Sequence, residues 1–211
     1  MNHAATIRNL QERITQMQPS RVSDDALPTP PELRALFPGG ALRRGSAITV
    51  TGSLQLSLAI ASAVSASGAW CGAIGLPEFG VEAAAELGVA LDRFVLVPDP
   101  GVHTIGIMGT LSEVLTVLLV RPPVPVRPSD AERLAARLRD HGAALVVLGP
   151  WPRSEGTLRV TGSRWHGLGR GHGMLDTHEL TVRSEDRRGL KQHTVLFRQG
   201  RLAPRDTLAG V

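Results

Sequence analysis

Tyrosine is absent from this chain of 211 residues, and aromatic residues together make up only 3% of it. So little ring surface argues against RNA-binding modules built on aromatic stacking and against aromatic-rich carbohydrate sites. Cysteine occurs once, at Cys71, which excludes an intramolecular disulfide framework and any cysteine-rich zinc or iron–sulfur centre. Lysine also occurs once, at Lys191. No apolar run reaches membrane-spanning length, and the N-terminus lacks the charged-then-apolar plan of a signal peptide. The expectation is a soluble cytoplasmic protein that does not engage a membrane.

What is present is enough apolar residue to build a core: 42% hydrophobic against 20% charged. The length suits one sizeable domain, or two small ones sharing a core. Charge is placed unevenly. Residues 1–150 hold 12 basic and 13 acidic groups, a balance of −1, and residues 151–211 hold 11 and 6, a balance of +5. Every basic residue but Lys191 is arginine, whose guanidinium keeps its charge and grips phosphate or carboxylate in a fork. Such a tail is either a solvated face or a nucleic-acid contact.

Ile7, Leu10, Ile14 and Met17 recur at steps of three and four, one narrow apolar stripe on a helix over 1–18. That stripe either folds back on its own core or meets a partner, a second copy of the chain included. A Pro-rich linker over 19–31 follows, with Pro19, Pro28, Pro30 and Pro31. From residue 32 the text alternates between strand and helix. Strands are predicted at 47–51, 71–75, 93–97, 115–120 and 143–149, and helices at 54–67, 80–87, 104–113 and 130–141. Ser129 and Glu132 form a capping-box pattern for the last helix. After Pro150, strands at 158–165, 178–184 and 193–199 alternate polar and apolar residues without helices between them. The fold class is therefore α/β, one mixed sheet, parallel in its first part and antiparallel at its C-terminal end. The domain runs over 32–200, with an exposed tail over 201–211.

In such a sheet the turn after the first strand is the natural ligand site, because amide groups at a helix N-terminus point there. A phosphate-binding loop supplies G-x-x-x-x-G-K-[ST] at that place. This chain has Thr51-Gly52-Ser53-Leu54-Gln55 and runs straight into the helix at Leu56. One glycine and no lysine remain.

These stretches resemble the RecA recombinase core. Residues 56–71 are similar to the helix-to-strand segment after its nucleotide loop, and Leu87-Gly88-Val89-Ala90-Leu91-Asp92 to its LGV-x-x-D stretch. The resemblance implies a RecA-like core from which about five loop residues are missing, by the motif's own length. It places Arg121 where a metal-orienting aspartate would end the fourth strand, and Glu78 within one residue of the water-activating glutamate. With three parts of the machinery altered, no catalysis, nucleotide cofactor or metal is expected. Glu78 is left as a surface or helix-capping carboxylate.

A second resemblance is carried by residues 36–45 (LFPGGALRRG) and 164–173 (RWHGLGRGHG). It is to the ImuA-prime proteins of actinobacteria, RecA-like accessory factors of the DNA-damage mutasome. That family implies partnership with ImuB and, through it, with an error-prone C-family polymerase in translesion synthesis, the C-terminal part being the docking region. Residues 162–175, rich in glycine, fall where the resemblance puts a mobile DNA-contacting loop. There Arg164 and Arg170 would meet phosphate, Trp165 would stack on a base or pack on the sheet, and His166 and His172 would lie alongside. DNA contact of this kind would be weak and salt-dependent. Recurrence of His166, His172 and His178 every six residues is too loose for zinc and reads as scattered surface histidines. Trp70, Cys71 and Phe94 read as packing residues, and Trp151 as core rim or contact surface. Two other readings stay open: a regulator that binds RecA or another RecA-fold partner through the N-terminal helix, and a divergent ATPase.

Overall fold

The computed structural model describes residues 25–169 and 172–205, with side chains left out at 168–169 and 172–174. The helix expected over 1–18, with Ile7, Leu10, Ile14 and Met17, lies outside the described residues.

Nine strands among the described residues form one sheet in the order β3-β2-β4-β5-β1-β6-β7-β8-β9. The first five are β1 (Ala47–Thr51), β2 (Cys71–Ile74), β3 (Phe94–Val97), β4 (Val117–Val120) and β5 (Ala144–Leu148). All pair in parallel, as does β6 (Gly156–Gly169) with β1, in the register Val50 to Leu158 and Thr51 to Arg159. Direction reverses only from β6 onward, through β7 (His172–Asp186), β8 (Gly189–Arg198) and β9 (Arg201–Ala203). The parallel-then-antiparallel sheet expected from the sequence is thus observed, with the reversal one strand later.

Strands β2, β4 and most of β5 have no polar face because helices cover both sides. On one side lies α1 (Leu54–Ala66), with the turn of 3-10 helix Pro31–Leu36. Leu56, Ile60 and Val64 of α1 join Ile48, Val50, Val146 and, from the antiparallel half, Leu158, Val182 and Phe197 in one apolar cluster. Helix α1 is buried nearly all round, and its serines are accommodated by bonding to main chain. Ser57 and Ser62 donate to the carbonyls of Ser53 and Ala59, and Ser65 Oγ accepts from Ala90 N–H. A short helix, α2 (Val81–Glu86), follows β2. On the other side α3 (Thr104–Leu111) and α4 (Pro128–His141) pack over the parallel half. There Met108, Leu134 and Leu138 meet Leu118, Val120 and Leu145, and Trp151 closes the rim of this second cluster.

Several local expectations need correction. Helix α4 opens at Pro128 with no side-chain cap, so Ser129 and Glu132 both sit inside the helix and no capping box forms. Proline at the first helical position needs no amide partner, which removes one donor that a cap would serve. Residues 25–31 are no free linker. Leu27 is buried, its N–H bonds to Leu42 O at 2.8 Å, and Ala26 bridges to Arg43. An apolar side chain with an edge to pair along explains why this proline-rich stretch lies down on the core. Residues 201–203 are likewise no tail. They add β9 to the sheet, with Ala203 buried. Trp70 is 48% exposed and is not a packing residue, whereas Phe94 stacks on Phe79 with centroids 5.0 Å apart and Cys71 is fully buried. Among the described residues, no helix is long and apolar enough to cross a membrane.

Candidate functional site

The C-terminal edges of β1, β4 and β5 converge on a shallow cleft of about 320 Å³ lined by Thr51, Gly52, Ser53, Arg121 and Gly149, among others. This is where an open parallel sheet binds its ligand. Its shape follows from the two residues between β1 and α1. Gly52 has φ +90°, and a Cβ on it would sit 3.2 Å from Val160 Cβ and 3.3 Å from Val160 O. Close approach of β6 therefore presses the turn flat. Ser53 caps α1, its Oγ accepting from Leu56 N–H at 3.0 Å. One of the amide donors that a phosphate would use is thereby already taken by the chain itself. Thr51 Oγ1 is buried here with no hydrogen-bond partner.

Opposite this turn, Arg121 follows β4 and its guanidinium is ion-paired with Glu78, which follows β2. Glu78's own backbone N–H and the Arg121 guanidinium hold the carboxyl below its ordinary range. Both side chains are about half exposed. In chemical terms a cation and an anion neutralise one another at the mouth of the cleft. The carboxylate's lone pairs are directed at an arginine, so Glu78 is poorly placed to accept a proton from water. Nor is it a helix cap, since α2 begins after Gly80 without a side-chain cap.

Gln55, grouped with this turn on sequence grounds, points elsewhere. Its Oε1 lies 2.9 Å from His178 Nδ1, and His178 Nε2 lies 2.8 Å from Ser163 Oγ. Trp165 stacks on the same imidazole, centroids 4.1 Å apart and planes 2° from parallel. The chain Gln55–His178–Ser163 ties the start of α1 to the β6–β7 hairpin. It also assigns the tautomer: Nδ1–H donates to Gln55, and Nε2 accepts from the serine hydroxyl. Burial lowers the His178 pKa. Sequence spacing treated His178 as one of three scattered histidines. Only the cross-strand pairing of Trp165 with His178 brings it under the tryptophan.

The glycine-rich segment expected to be a mobile loop is instead the top of two long strands, paired from Gly156–Asp186 up to Gly169–His172. Strand alternation splits its proposed contacts. Trp165 lies on the α1 side with His178, while Arg164 and His166 lie on the opposite face, where His166 Nε2 is 2.8 Å from Glu179 Oε2. Arg164 and Trp165 therefore cannot meet one nucleotide together. Arg170 lies outside the described residues, and His172 is described only by its backbone, as the first residue of β7. Among the described residues, no group of three His, Cys, Asp or Glu is arranged to hold a metal.

The class defined by this fold and site is an α/β protein with a ligand-type cleft at the end of its first strand, narrowed by a two-residue turn and an ion pair. Residues 35–153 match the family described as the MT3502 N-terminal domain, and the chain belongs to that family. It is also 31% identical over 120 residues to the uncharacterized protein Rv3395c of Mycobacterium tuberculosis (strain ATCC 25618 / H37Rv). That match covers 55% of this chain and spans 59% of the relative's length.

Proposed function

We propose that the chain is a non-catalytic, RecA-like adaptor of damage-induced mutagenesis, as its resemblance to the ImuA-prime proteins implies, binding ImuB and helping to assemble an error-prone polymerase complex in the cytoplasm. The observation that carries the non-catalytic part is the turn after β1. Only Gly52 and Ser53 separate strand from helix, with β6 pressed against Gly52. A triphosphate needs a wrap of main-chain amides and a lysine, and neither is present there. The Arg121–Glu78 pair supports the same reading, because a guanidinium at the end of β4 repels a metal cation and occupies the carboxylate that would activate water. The adaptor role itself rests on the resemblance carried by residues 36–45 and 164–173.

Size-exclusion chromatography with light scattering, on the protein alone and mixed with purified ImuB, tests the adaptor role. A stable co-eluting complex is expected. Its absence at micromolar concentrations would move the reading to a regulator of RecA acting through residues 1–18. Calorimetry with ATP and Mg²⁺ tests the other half: no heat of binding is expected, and a saturable isotherm would restore the ATPase reading.

A further inference from the structure

The face of β6–β9 turned away from α1 is lined with arginine. Alternation along the strands puts Leu158, Leu180, Val182 and Phe197 into the cluster under α1, so their immediate neighbours along each strand face the other way. On that outer face stand Arg159 and Arg164 of β6, Arg183 of β7, Arg198 of β8 and Arg201 of β9, all exposed. The apolar cluster beneath α3 and α4 contains no residue of these four strands. The face is not bare throughout, since Leu196 of β8, Ala203 of β9 and Thr177 of β7, on the same side by register, are buried, and the arginines stand exposed around them. Two carboxylates, Glu179 and Glu185, share it, and Glu179 is engaged by His166. Asp176 pairs with Arg198 at 3.4 Å. Arg159, Arg164, Arg183 and Arg201 have no ion-pair partner among the described residues.

One pairing runs against the stability of the isolated sheet. Arg159 stands directly opposite Arg183 in the β6–β7 register. Like charges at directly opposed positions are destabilising, with Cβ atoms about 5 Å apart. A polyanion laid across the face would remove that repulsion. The cations extend six residues along β7, roughly 20 Å, and across three inter-strand spacings, roughly 14 Å. This is a two-dimensional array and not a single line. Among the described side chains its one imidazole, His166, is engaged with Glu179 and the nearest indole, Trp165, is on the other face, so they offer bases no ring to stack on. Phosphates are what such a surface recognises, and a duplex carries one phosphate charge per about 1.7 Å of axis on two strands.

We propose that this outer face of β6–β9 docks double-stranded DNA through its phosphate backbone, without reading sequence. The surface is independent of the adaptor reading, and its test uses no ImuB. The full chain is titrated against a labelled duplex of about 30 base pairs, and against a single strand of the same length, by fluorescence anisotropy between about 50 and 200 mM salt. Wild type is expected to bind the duplex more tightly than the single strand, with affinity falling steeply as salt rises. Combining Arg159→Gln, Arg183→Gln and Arg201→Gln should cost at least about tenfold in affinity and flatten the log–log salt slope by about 2.7, at about 0.9 for each lost contact. The control Arg34→Gln, an exposed arginine in the turn on the α1 side, should change neither. Arg183→Glu separates binding from folding. Opposing a carboxylate to Arg159 should raise the melting temperature by about 1–3 °C while weakening duplex binding. Unchanged affinity and slope in the triple variant would overturn the proposal. So would tighter binding to the single strand, no duplex binding at the lowest salt, or a parallel loss of stability and binding in Arg183→Glu.

Discussion

Gly75 is the position where a single methyl group should do most damage to the geometry of the cleft, and its cost can be built from parts. It follows β2 directly with φ +72°, its N–H bonding to Val97 O at 2.9 Å. A Cβ there would overlap the carbonyl oxygen of Arg121, which is backbone and has no rotamer by which to yield. Arg121 N–H in turn bonds to Ile74 O at 3.0 Å, so the two chain segments cannot separate without breaking the end of the β2–β4 ladder. Gly75→Ala thus carries two costs: about 1–2 kcal/mol for an L-residue in the left-handed region, and about 1–3 kcal/mol for the forced overlap. The sum is about 3 kcal/mol, or a fall in melting temperature of about 6–12 °C for a domain of this size. Two companion variants separate the contributions. Gly88 has φ +93° and open space where a Cβ would stand, so Gly88→Ala should show the conformational cost alone, about 1–2 kcal/mol. Gly106 lies within α3, also with open space at that point, so Gly106→Ala should stabilise by up to about 1 kcal/mol. Thermal melts followed by circular dichroism, with chemical denaturation for the free energies, give the ranking. If Gly75→Ala costs no more than Gly88→Ala, the close approach of Arg121 to the end of β2 is wrong.

Burial and a few polar contacts carry three further predictions. Burial pushes the Cys71 thiol up to about 11 from 9.0, so the unfolded chain ionises first. Its contribution is complete below pH 9 and is lost as pH rises from about 9 to 11, amounting to about 2–3 kcal/mol, and Cys71→Ala should flatten that part of the stability–pH profile. The His178 pKa is lowered by burial, so stability linked to it is present above about pH 6.5 and declines as pH falls below that. Proton NMR should find His178 titrating below an ordinary histidine, and Gln55→Leu, which removes the acceptor for Nδ1–H, should cost about 1 kcal/mol. A His178 that titrates at or above about 6.5 would contradict the buried neutral ring. Phe197 is 1% exposed in the cluster beneath α1, and Phe197→Ala should cost about 3–5 kcal/mol by denaturant titration; a loss under about 1 kcal/mol would mean that β8 is not part of the core.

Much of the architecture could be read in the chain because its signals are local. The apolar run ALVVL has no polar face, and only a strand covered on both sides tolerates that. The helical period of 54–67 and the glycine after it set α1 to within a residue, since periodicity and a left-handed terminator act over a single turn. The shortened turn at Gly52 and Ser53 was visible by counting residues. Legibility failed where the decisive partner is distant in sequence. A glycine-rich text from 162 to 175 reads as a loop, yet β6 and β7 pair along it because each strand finds its complement in the other. Residues 25–31 look like a linker until Leu27 and Leu42 are seen to share a hydrogen bond and a core.

The charged and polar groups of the candidate surfaces divide in the same way. Which residues could serve was open to inspection: an arginine after β4, a glutamate after β2, a +5 balance beyond residue 150. Their relations were not. Arg121 neutralises Glu78 across 43 positions, His178 reaches Gln55 across 123, and Arg159 faces Arg183 only through the β6–β7 register. By itself the sequence determined the elements of the parallel half and their order, because hydrophobic period and turn chemistry are encoded within a few residues. Tertiary structure alone decided which groups neutralise one another and which stand unpaired on one face, because electrostatic energy depends on distance through space and not on separation along the chain.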